Sequence, residues 1–373
     1  MLYDTETDEP YYIVNMKEVE HAYERWNKCL PNIKPYYAMK CNPNASILKK
    51  LYELGCNFDC ASKTEIQTIL DISNDASRII FAHPCKYPSH LIYAKDNGVD
   101  LMTFDCEEEL YKIKQYHSKA RILLRLAVDD SQSLCKFNIK FGCKQEDIHK
   151  LLGTAHELGL NVIGFSFHVG SGCNSAYTYY DALRICREAC DIAEEKYGFH
   201  IELIDVGGGF VAHTDDPHAV QFEDIADKIK QAQYEFFDGN TVMFIGEPGR
   251  FMVQKSHTLI CCVVAKKRVN DKFIYYLNDG VYGSFNCIIF DHQVPELIPV
   301  SATKSTTLYE SQIFGNTCDS LDEIKHSVML PELYVGDYMY VKNFGAYTTS
   351  AKSDSFNGYK VDRFIYSNEY GYE

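Results

Sequence analysis

From about Lys34 to Arg250, short runs rich in β-branched and aromatic residues alternate with longer segments whose apolar positions recur every three or four residues. That alternation is the pattern of βαβ units and a parallel sheet. In order, the runs are Tyr36–Lys40, Phe58–Ser62, Arg78–Pro84, Leu101–Asp105, Ile122–Leu126, Val162–Val169, Ile201–Val206 and Met243–Glu247. Between them, spacings such as Tyr179, Leu183, Cys186, Cys190 and Ala193 predict helices with one apolar face. Ser62 and Glu65 form a Ser-x-x-Glu capping box, a helix start directly after the second run. Eight strands with intervening helices predict an α/β fold, a (β/α)8 TIM barrel, with chemistry at the carboxyl ends of the strands.

After Arg250 the periodicity changes to strand-like runs separated by turns, among them Leu259–Val269, Phe273–Leu277 and Tyr338–Val341. This predicts a separate β domain. Tyr11–Val14 is also β-like and is expected to pair with that domain before the helix containing Trp26 leads into the barrel. The expected organisation is a barrel over residues 25–250, with 1–24 and 251–373 forming the β domain.

Composition narrows the class. At 373 residues, 46% of them hydrophobic, the chain can bury more than one core, and no tract is of low complexity. Met1–Pro10 is acidic and precedes no long apolar run, so neither a secretory signal nor a mitochondrial presequence fits, and a cytoplasmic location is expected. No segment approaches the roughly 20 apolar residues of a spanning helix, so no membrane role is expected. The 15 cysteines are scattered without Cys-x-x-Cys pairs, which fits reduced thiols and offers no zinc spacing; no metal is expected. A net charge of −15 repels nucleic acid and favours a small cationic substrate.

Several residues at predicted strand ends carry chemistry. Lys40 ends the first run, where a partly desolvated amine can attack an aldehyde, although a lysine taken alone is more often a surface residue. Gly207, Gly208 and Gly209 follow the seventh run, and Gly170, Ser171 and Gly172 follow the sixth. Such glycines let backbone N–H groups approach a phosphate, and a tight turn is the other reading for either cluster alone. Glu247, Pro248, Gly249 and Arg250 at the eighth strand add an acid and a guanidinium, and His168 ends the sixth strand. The polar loops of the β domain do not by themselves identify a reaction.

Together these segments resemble the eukaryotic ornithine decarboxylase family, whose fold joins an alanine-racemase-like barrel to a carboxyl-terminal β-barrel or β-sandwich domain. The resemblance runs from about Tyr36 to Gly358. It rests on Tyr37-Ala38-Met39-Lys40-Cys41-Asn42, Phe58-Asp59-Cys60-Ala61-Ser62, Phe165-Ser166-Phe167-His168-Val169-Gly170-Ser171-Gly172, Glu247-Pro248-Gly249-Arg250, Thr317-Cys318-Asp319 and Gly345-Ala346-Tyr347. It implies pyridoxal 5'-phosphate as cofactor and L-ornithine as substrate, decarboxylated to putrescine in the first step of polyamine biosynthesis. By the same resemblance Lys40 is the Schiff-base lysine, with Asp59 and Arg125 close by, and His168 stacks on the ring. Glu247 holds the pyridine nitrogen protonated, as a carboxylate beside a cationic nitrogen favours the charged form. Ser171, Gly208, Gly209, Gly249, Arg250 and Tyr347 hold the phosphate. Cys318 protonates the α-carbon, and Cys318 and Asp319 reach the site from the second subunit of a head-to-tail homodimer. Asp291 and Asp319 bracket the distal ammonium, with Tyr282 and Phe356 lining the pocket; viral arginine decarboxylases carry Glu where this chain has Asp291.

The chain also departs from the family pattern. The usual Trp-Gly-Pro-Thr-Cys-Asp-Gly is Phe314-Gly315-Asn316-Thr317-Cys318-Asp319-Ser320, so Ser320 stands where a glycine can take positive φ. Gly246 replaces the common Ala, and His83 the usual Asn. The chain ends soon after Tyr366 and is expected to lack an extended degradation tail. Alternatives left open are an arginine or lysine decarboxylase, and a catalytically inactive regulator of the antizyme-inhibitor kind. The latter predicts damage at cofactor positions, yet Lys40, Asp59, Arg125, Glu247, Tyr347 and Cys318 are all present. Antizyme is the protein partner that the resemblance admits.

Overall fold

A computed structural model describes residues 7–212, 219–239, 241–300 and 307–367. It divides into two units, Glu20–Met252 and the combination of Met1–Val19 with Val253–Glu373. The sequence boundaries at 24/25 and 250/251 thus fall a few residues inside the first of these.

In chain order the strands of the first half are β1 (Tyr11–Asn15), β2 (Ile33–Ala38), β3 (Asn57–Cys60), β4 (Ile79–Phe81), β5 (Leu101–Phe104) and β6 (Arg121–Leu126). They are followed by β7 (Ser133–Cys135), β8 (Asn161–Phe167), β9 (Ser171–Cys173), β10 (Leu203–Asp205) and β11 (Met243–Gly246). Eight of these, β2, β3, β4, β5, β6, β8, β10 and β11, close into a parallel barrel. Each inner face needs large apolar side chains to fill the barrel. Tyr36, Ile80, Leu101, Leu123, Ile163, Leu203 and Ile245 meet in one buried cluster, each from a different barrel strand.

The connecting helices begin where the sequence caps them. Asn44 accepts from the N–H groups of Ser46 and Ile47 at the start of Ala45–Leu54. Ser62 Oγ accepts from Glu65 N–H (3.3 Å) at the start of Lys63–Ser73, while the Glu65 carboxylate reaches back to Ala61 N–H. Such caps satisfy N–H groups that a helix start otherwise leaves unpaired.

The second unit is built on β12 (His257–Val269), a strand of 13 residues. With it come β13 (Lys272–Leu277), β14 (Ile298–Pro299), β15 (Leu308–Phe314), β16 (Glu323–Pro331), β17 (Tyr338–Val341) and β18 (Arg363–Ser367). The first half of β12 pairs antiparallel with β1 and with β17, and its second half pairs with β13 after a bulge between Val263 and Ala265. Strand β1 also pairs parallel with β18, and β13 parallel with β15, so the eight-stranded sheet is mixed. Tyr11, Ile13 and Ile260 form a buried cluster at the pairing of β1 with β12.

Candidate active site

The barrel unit gathers its candidate residues at the carboxyl ends of the strands. Lys40 does not end a strand, as the sequence suggested: β2 stops at Ala38, whose N–H donates to Pro248 O (3.2 Å). Lys40 sits in the single 3-10 turn Met39–Cys41 that follows. From there its Nζ reaches Asp59 Oδ2 on β3 at 2.7 Å, the lysine half-exposed and the aspartate buried.

Arg125 on β6 is buried against the ring of Phe141, 5.2 Å from its centroid. Burial lowers its pKa, opposed by Glu247, Asp105, Asp205 and Asp59. His168 follows β8, and its Nδ1 accepts from Gly170 N–H at 3.0 Å. Burial, aided by Arg125 and Lys40, holds the imidazole well below its usual pKa. The ring is therefore neutral and held in one orientation, with the edge of Phe137 4.9 Å away between centroids.

Glycine is required in the adjoining loop for lack of space. At Gly208 an added Cβ would lie 2.7 Å from His168 Nε2, and at Gly207, where φ is +63°, it would lie 2.0 Å from Phe167 O. Backbone here lies directly on the His168 loop, which only Gly permits. Arg250 Nη2 reaches Ser171 Oγ at 3.5 Å, so two groups proposed for the phosphate from opposite ends of the sequence pattern meet in space.

Sequence reasoning missed Asp205. It ends β10, its Oδ1 accepts from Gly207 N–H (2.9 Å), and the buried Glu247 carboxyl is its neighbour. Two buried carboxyls so placed favour keeping a proton. Burial pushes Asp205 up to about 7 and also raises Glu247, which Asp205 and Asp59 push further. An acid closing an otherwise apolar strand, three residues before Gly208, was the signal available.

In the β unit the candidates collect in two clusters. Asp291 is buried, and its Oδ2 accepts from Gln293 Nε2, an amide that also donates to Ala346 O (3.1 Å) beside Tyr347. Tyr347 itself adopts φ +56°, the left-handed region that non-glycine residues rarely occupy. In the second cluster Tyr282 stacks on Phe356 at 4.0 Å between ring centroids, and its hydroxyl donates to Asp319 Oδ2. Cys318 is exposed, and its N–H donates to Asn357 Oδ1 at 3.0 Å.

The altered loop is organised by Asp322, which accepts from Val281 N–H (2.7 Å), Thr317 N–H (2.9 Å) and the Thr317 hydroxyl (2.7 Å). Ser320 is absent from the residues with positive φ, so the loop makes no demand there that only glycine meets.

Five buried polar atoms at the barrel mouth have no hydrogen-bond partner: Asp59 Oδ1, Arg125 Nε and Nη2, Asp205 Oδ2 and Glu247 Oε1. Buried polar atoms are rarely left so. With the glycine cradle and the Arg250–Ser171 contact, they suit a flat, anionic, nitrogen-containing cofactor.

Comparison with known proteins agrees. Residues 16–254 match the model of the pyridoxal-dependent decarboxylase pyridoxal binding domain. The chain is 43% identical to the ornithine decarboxylase of Schizosaccharomyces pombe over 368 residues, covering 95% of this chain and 83% of that one. It is 42% identical to antizyme inhibitor 2 of Xenopus laevis over 377 residues, covering 97% and 82%. The solved arginine decarboxylase of Paramecium bursaria Chlorella virus, bound to agmatine, superposes with a TM-score of 0.93 at 36% identity over 97% of this chain and 96% of that one. The chain belongs to the pyridoxal-dependent decarboxylases, whose (β/α)8 barrel and separate β-sheet unit it shares and whose cofactor, pyridoxal 5'-phosphate, it uses.

Proposed function

We propose that the protein decarboxylates L-ornithine to putrescine and carbon dioxide, the entry to polyamine biosynthesis. The observation that carries the substrate choice is Asp291, a buried carboxylate held by Gln293 beside the Tyr347 segment. Such a carboxylate attracts a cation, and the distal ammonium of ornithine is one of suitable charge.

Bound pyridoxal phosphate supplies an aldehyde for the amino group and an electron sink for the carboxylate's departing bond. The rest is done by the chain. Lys40, oriented by Asp59, offers its Nζ to the aldehyde. Glu247, buried beside Asp205, would favour the protonated form of the ring nitrogen. His168, neutral and locked by Gly170, would offer a flat imidazole to the ring. Ser171, Gly208, Gly209, Gly249, Arg250 and Tyr347 would hold the phosphate. Asp291 and Asp319 fix the distal ammonium between Tyr282 and Phe356, and Cys318 Sγ returns a proton to the α-carbon.

The resemblance to the ornithine decarboxylases implies a head-to-tail homodimer in which a second copy supplies Cys318 and Asp319. The expected setting is the cytoplasm: all 15 cysteines are free thiols, and no described helix is long and apolar enough to cross a membrane.

A regulatory reading has support from the antizyme inhibitor 2 relative. The intact Lys40–Asp59 pair and the Arg250–Ser171 contact favour catalysis. Carbon dioxide release from ornithine, arginine and lysine, with Lys40→Ala as control, decides between them. Release from ornithine alone that vanishes in the control is the expected result. Preference for arginine or lysine overturns the role of Asp291, and no release from any of the three favours the regulator.

A further inference from the structure

After β6 the chain leaves the barrel in a loop that returns to where it began. Cys143 N–H donates to Arg125 O (2.8 Å) and Ala127 N–H to Cys143 O (2.8 Å), so the two ends of the loop meet at Arg125. Within the loop, β7 pairs antiparallel with β9. Two aspartates fix the part that follows. Asp130 Oδ2 accepts from Phe137 N–H (2.6 Å) and Asn138 N–H (2.9 Å), at the start of a turn that Phe141 N–H closes on Phe137 O (3.1 Å). Asp105 Oδ2 accepts from Gly142 N–H (2.8 Å) at its exit. Gly142 has φ +105°, and a Cβ there would lie 2.8 Å from Ala127 N and Cα, so the exit is pressed against the start of the loop.

The anchored turn carries two aromatic rings to cofactor residues. Phe137 meets His168, and Phe141 lies against the Arg125 guanidinium. The ring of His83 stands edge-on to Phe141, 5.6 Å between centroids. His83 is itself held, since its Nδ1 accepts from Cys85 N–H (3.0 Å) and its carbonyl from the buried Lys86 Nζ (3.1 Å), which is ion-paired to Glu109 at 2.9 Å. Phe141 is thus fixed through its backbone by the turn and at its ring by His83.

Arg125 is buried, and its Nε and Nη2 have no hydrogen-bond partner. Asp59, Asp105 and Asp205 lie near enough for their charge to act on it, yet their hydrogen bonds go to Lys40, Gly142 and Gly207. With those N–H groups unpaired, the ring beneath the guanidinium is left to set its plane. We propose that Phe141 is a positioning residue that sets the plane of the Arg125 guanidinium and so keeps its unpaired N–H groups directed for the cofactor. The proposal rests on the reading of Arg125 as a cofactor-binding residue. Because Phe141 acts through Arg125, its removal costs cofactor affinity while Arg125 is present and little once Arg125 is gone, whereas a merely structural role costs the same in either setting.

The test titrates apoprotein with pyridoxal phosphate, following the absorbance of the lysine adduct, in two double-mutant cycles. Phe141→Leu is made in the parent, in Arg125→Gln and in Arg250→Gln, the last because Arg250 makes its contact with Ser171. The expected result is that Phe141→Leu weakens binding on the order of tenfold in the parent and in Arg250→Gln, the worth of a desolvated cation–ring contact, but stays within about twofold in Arg125→Gln. Phe141→Tyr, which keeps the ring, should bind as the parent does. Equal weakening in all three backgrounds, or none in the parent, overturns the proposal. If Arg125→Gln alone binds the cofactor as tightly as the parent, the reading of Arg125 falls, and the proposal with it. Should Phe141→Leu fail to fold, Asp130→Ala, a change outside the barrel strands, takes its place: it should weaken binding more in Arg250→Gln than in Arg125→Gln, and equal weakening in the two overturns the proposal.

Discussion

Asp205 ends one barrel strand and Glu247 follows the neighbouring one, and the charge of Asp205 adds to burial in pushing the Glu247 carboxyl up, so the two favour keeping a proton. Asp59 adds to the negative charge around them and Arg125 offsets it, so the site holds an acid where isolated carboxyls would ionise. With the cofactor bound, that proton would be available to the ring nitrogen, and the carboxylate left behind would favour the charged form.

That arrangement predicts a pH dependence of stability with a definite sign. Burial raises Asp205 to about 7 in the folded protein, above the roughly 3.9 of an unfolded aspartate. Its contribution is therefore complete below the unfolded value and is lost as pH rises through about 7. Between pH 6 and 8 the loss is about 1–2 kcal/mol, or roughly 2–4 °C per kcal/mol in Tm for a unit of this size. Thermal unfolding of apoprotein should show this decline, and Asp205→Asn should flatten it. An equal slope in the variant would mean that a group other than Asp205, such as the raised Glu247, carries the decline.

If Arg250 and Ser171 both hold the phosphate, as proposed, their substitution should weaken cofactor binding unequally. A charge-assisted hydrogen bond is worth about 1.5–3 kcal/mol and a neutral one about 1 kcal/mol. Arg250→Ala should weaken pyridoxal phosphate binding roughly 10- to 150-fold and Ser171→Ala about fivefold. Because the two side chains meet at 3.5 Å, the double variant should lose less than the sum of the single losses. Cofactor titration of the three apoproteins reads this directly; strict additivity would show that the two side chains act on the ligand independently.

The barrel could be read from the sequence because each strand pairs with a near neighbour in the chain and carries a compact β-rich run, as Arg121–Leu126 does. Lys40 lay at the mouth as expected, but a run of strand-like residues does not reveal that β2 ends at Ala38 and a 3-10 turn follows. Pairings of very short strands were invisible: Ser133–Cys135 and Ser171–Cys173 have three residues each, too few for any period to register. Strand β18 was hidden for another reason, since its residues are half-buried or exposed without alternation. Asp205 escaped because an acid at a strand end also reads as ordinary polar punctuation; only the fold brings it against Glu247. Gln293, two residues beyond Asp291, is likewise meaningful only through its contacts with Asp291 and Ala346.

Asp291 should govern substrate choice through length as well as charge. In this reading its carboxylate, steadied by Gln293, marks the depth at which a distal cation is met. Asp291→Asn keeps the shape and removes the charge, so kcat/KM for ornithine should fall roughly 10- to 150-fold, by the worth of a charge-assisted bond. Asp291→Glu keeps the charge and moves it by one methylene, so the ratio of arginine to ornithine kcat/KM should change. Competing-substrate assays on purified enzyme measure both, and an unaltered ratio in Asp291→Glu would remove Asp291 from the specificity determinants.

Gly246 makes room for Trp26, and the replacement common in the family should be harmful here. An added methyl would lie 3.1 Å from Trp26 Cη2 and 3.2 Å from Val206 Cγ2, closer than packed carbons ordinarily sit. Trp26 cannot easily retreat: it is fully buried, its Nε1 donates to Ile33 O at 2.8 Å, and Phe210, Phe222 and Phe251 surround its ring. Overpacking of this kind costs about 1–3 kcal/mol, so Gly246→Ala should lower Tm by several degrees while Glu247, the next residue, is pulled from its place opposite Asp205. Thermal unfolding gives the first effect, and the pH dependence of cofactor affinity gives the second. A variant as stable as the parent would show that Trp26 yields more readily than its contacts imply.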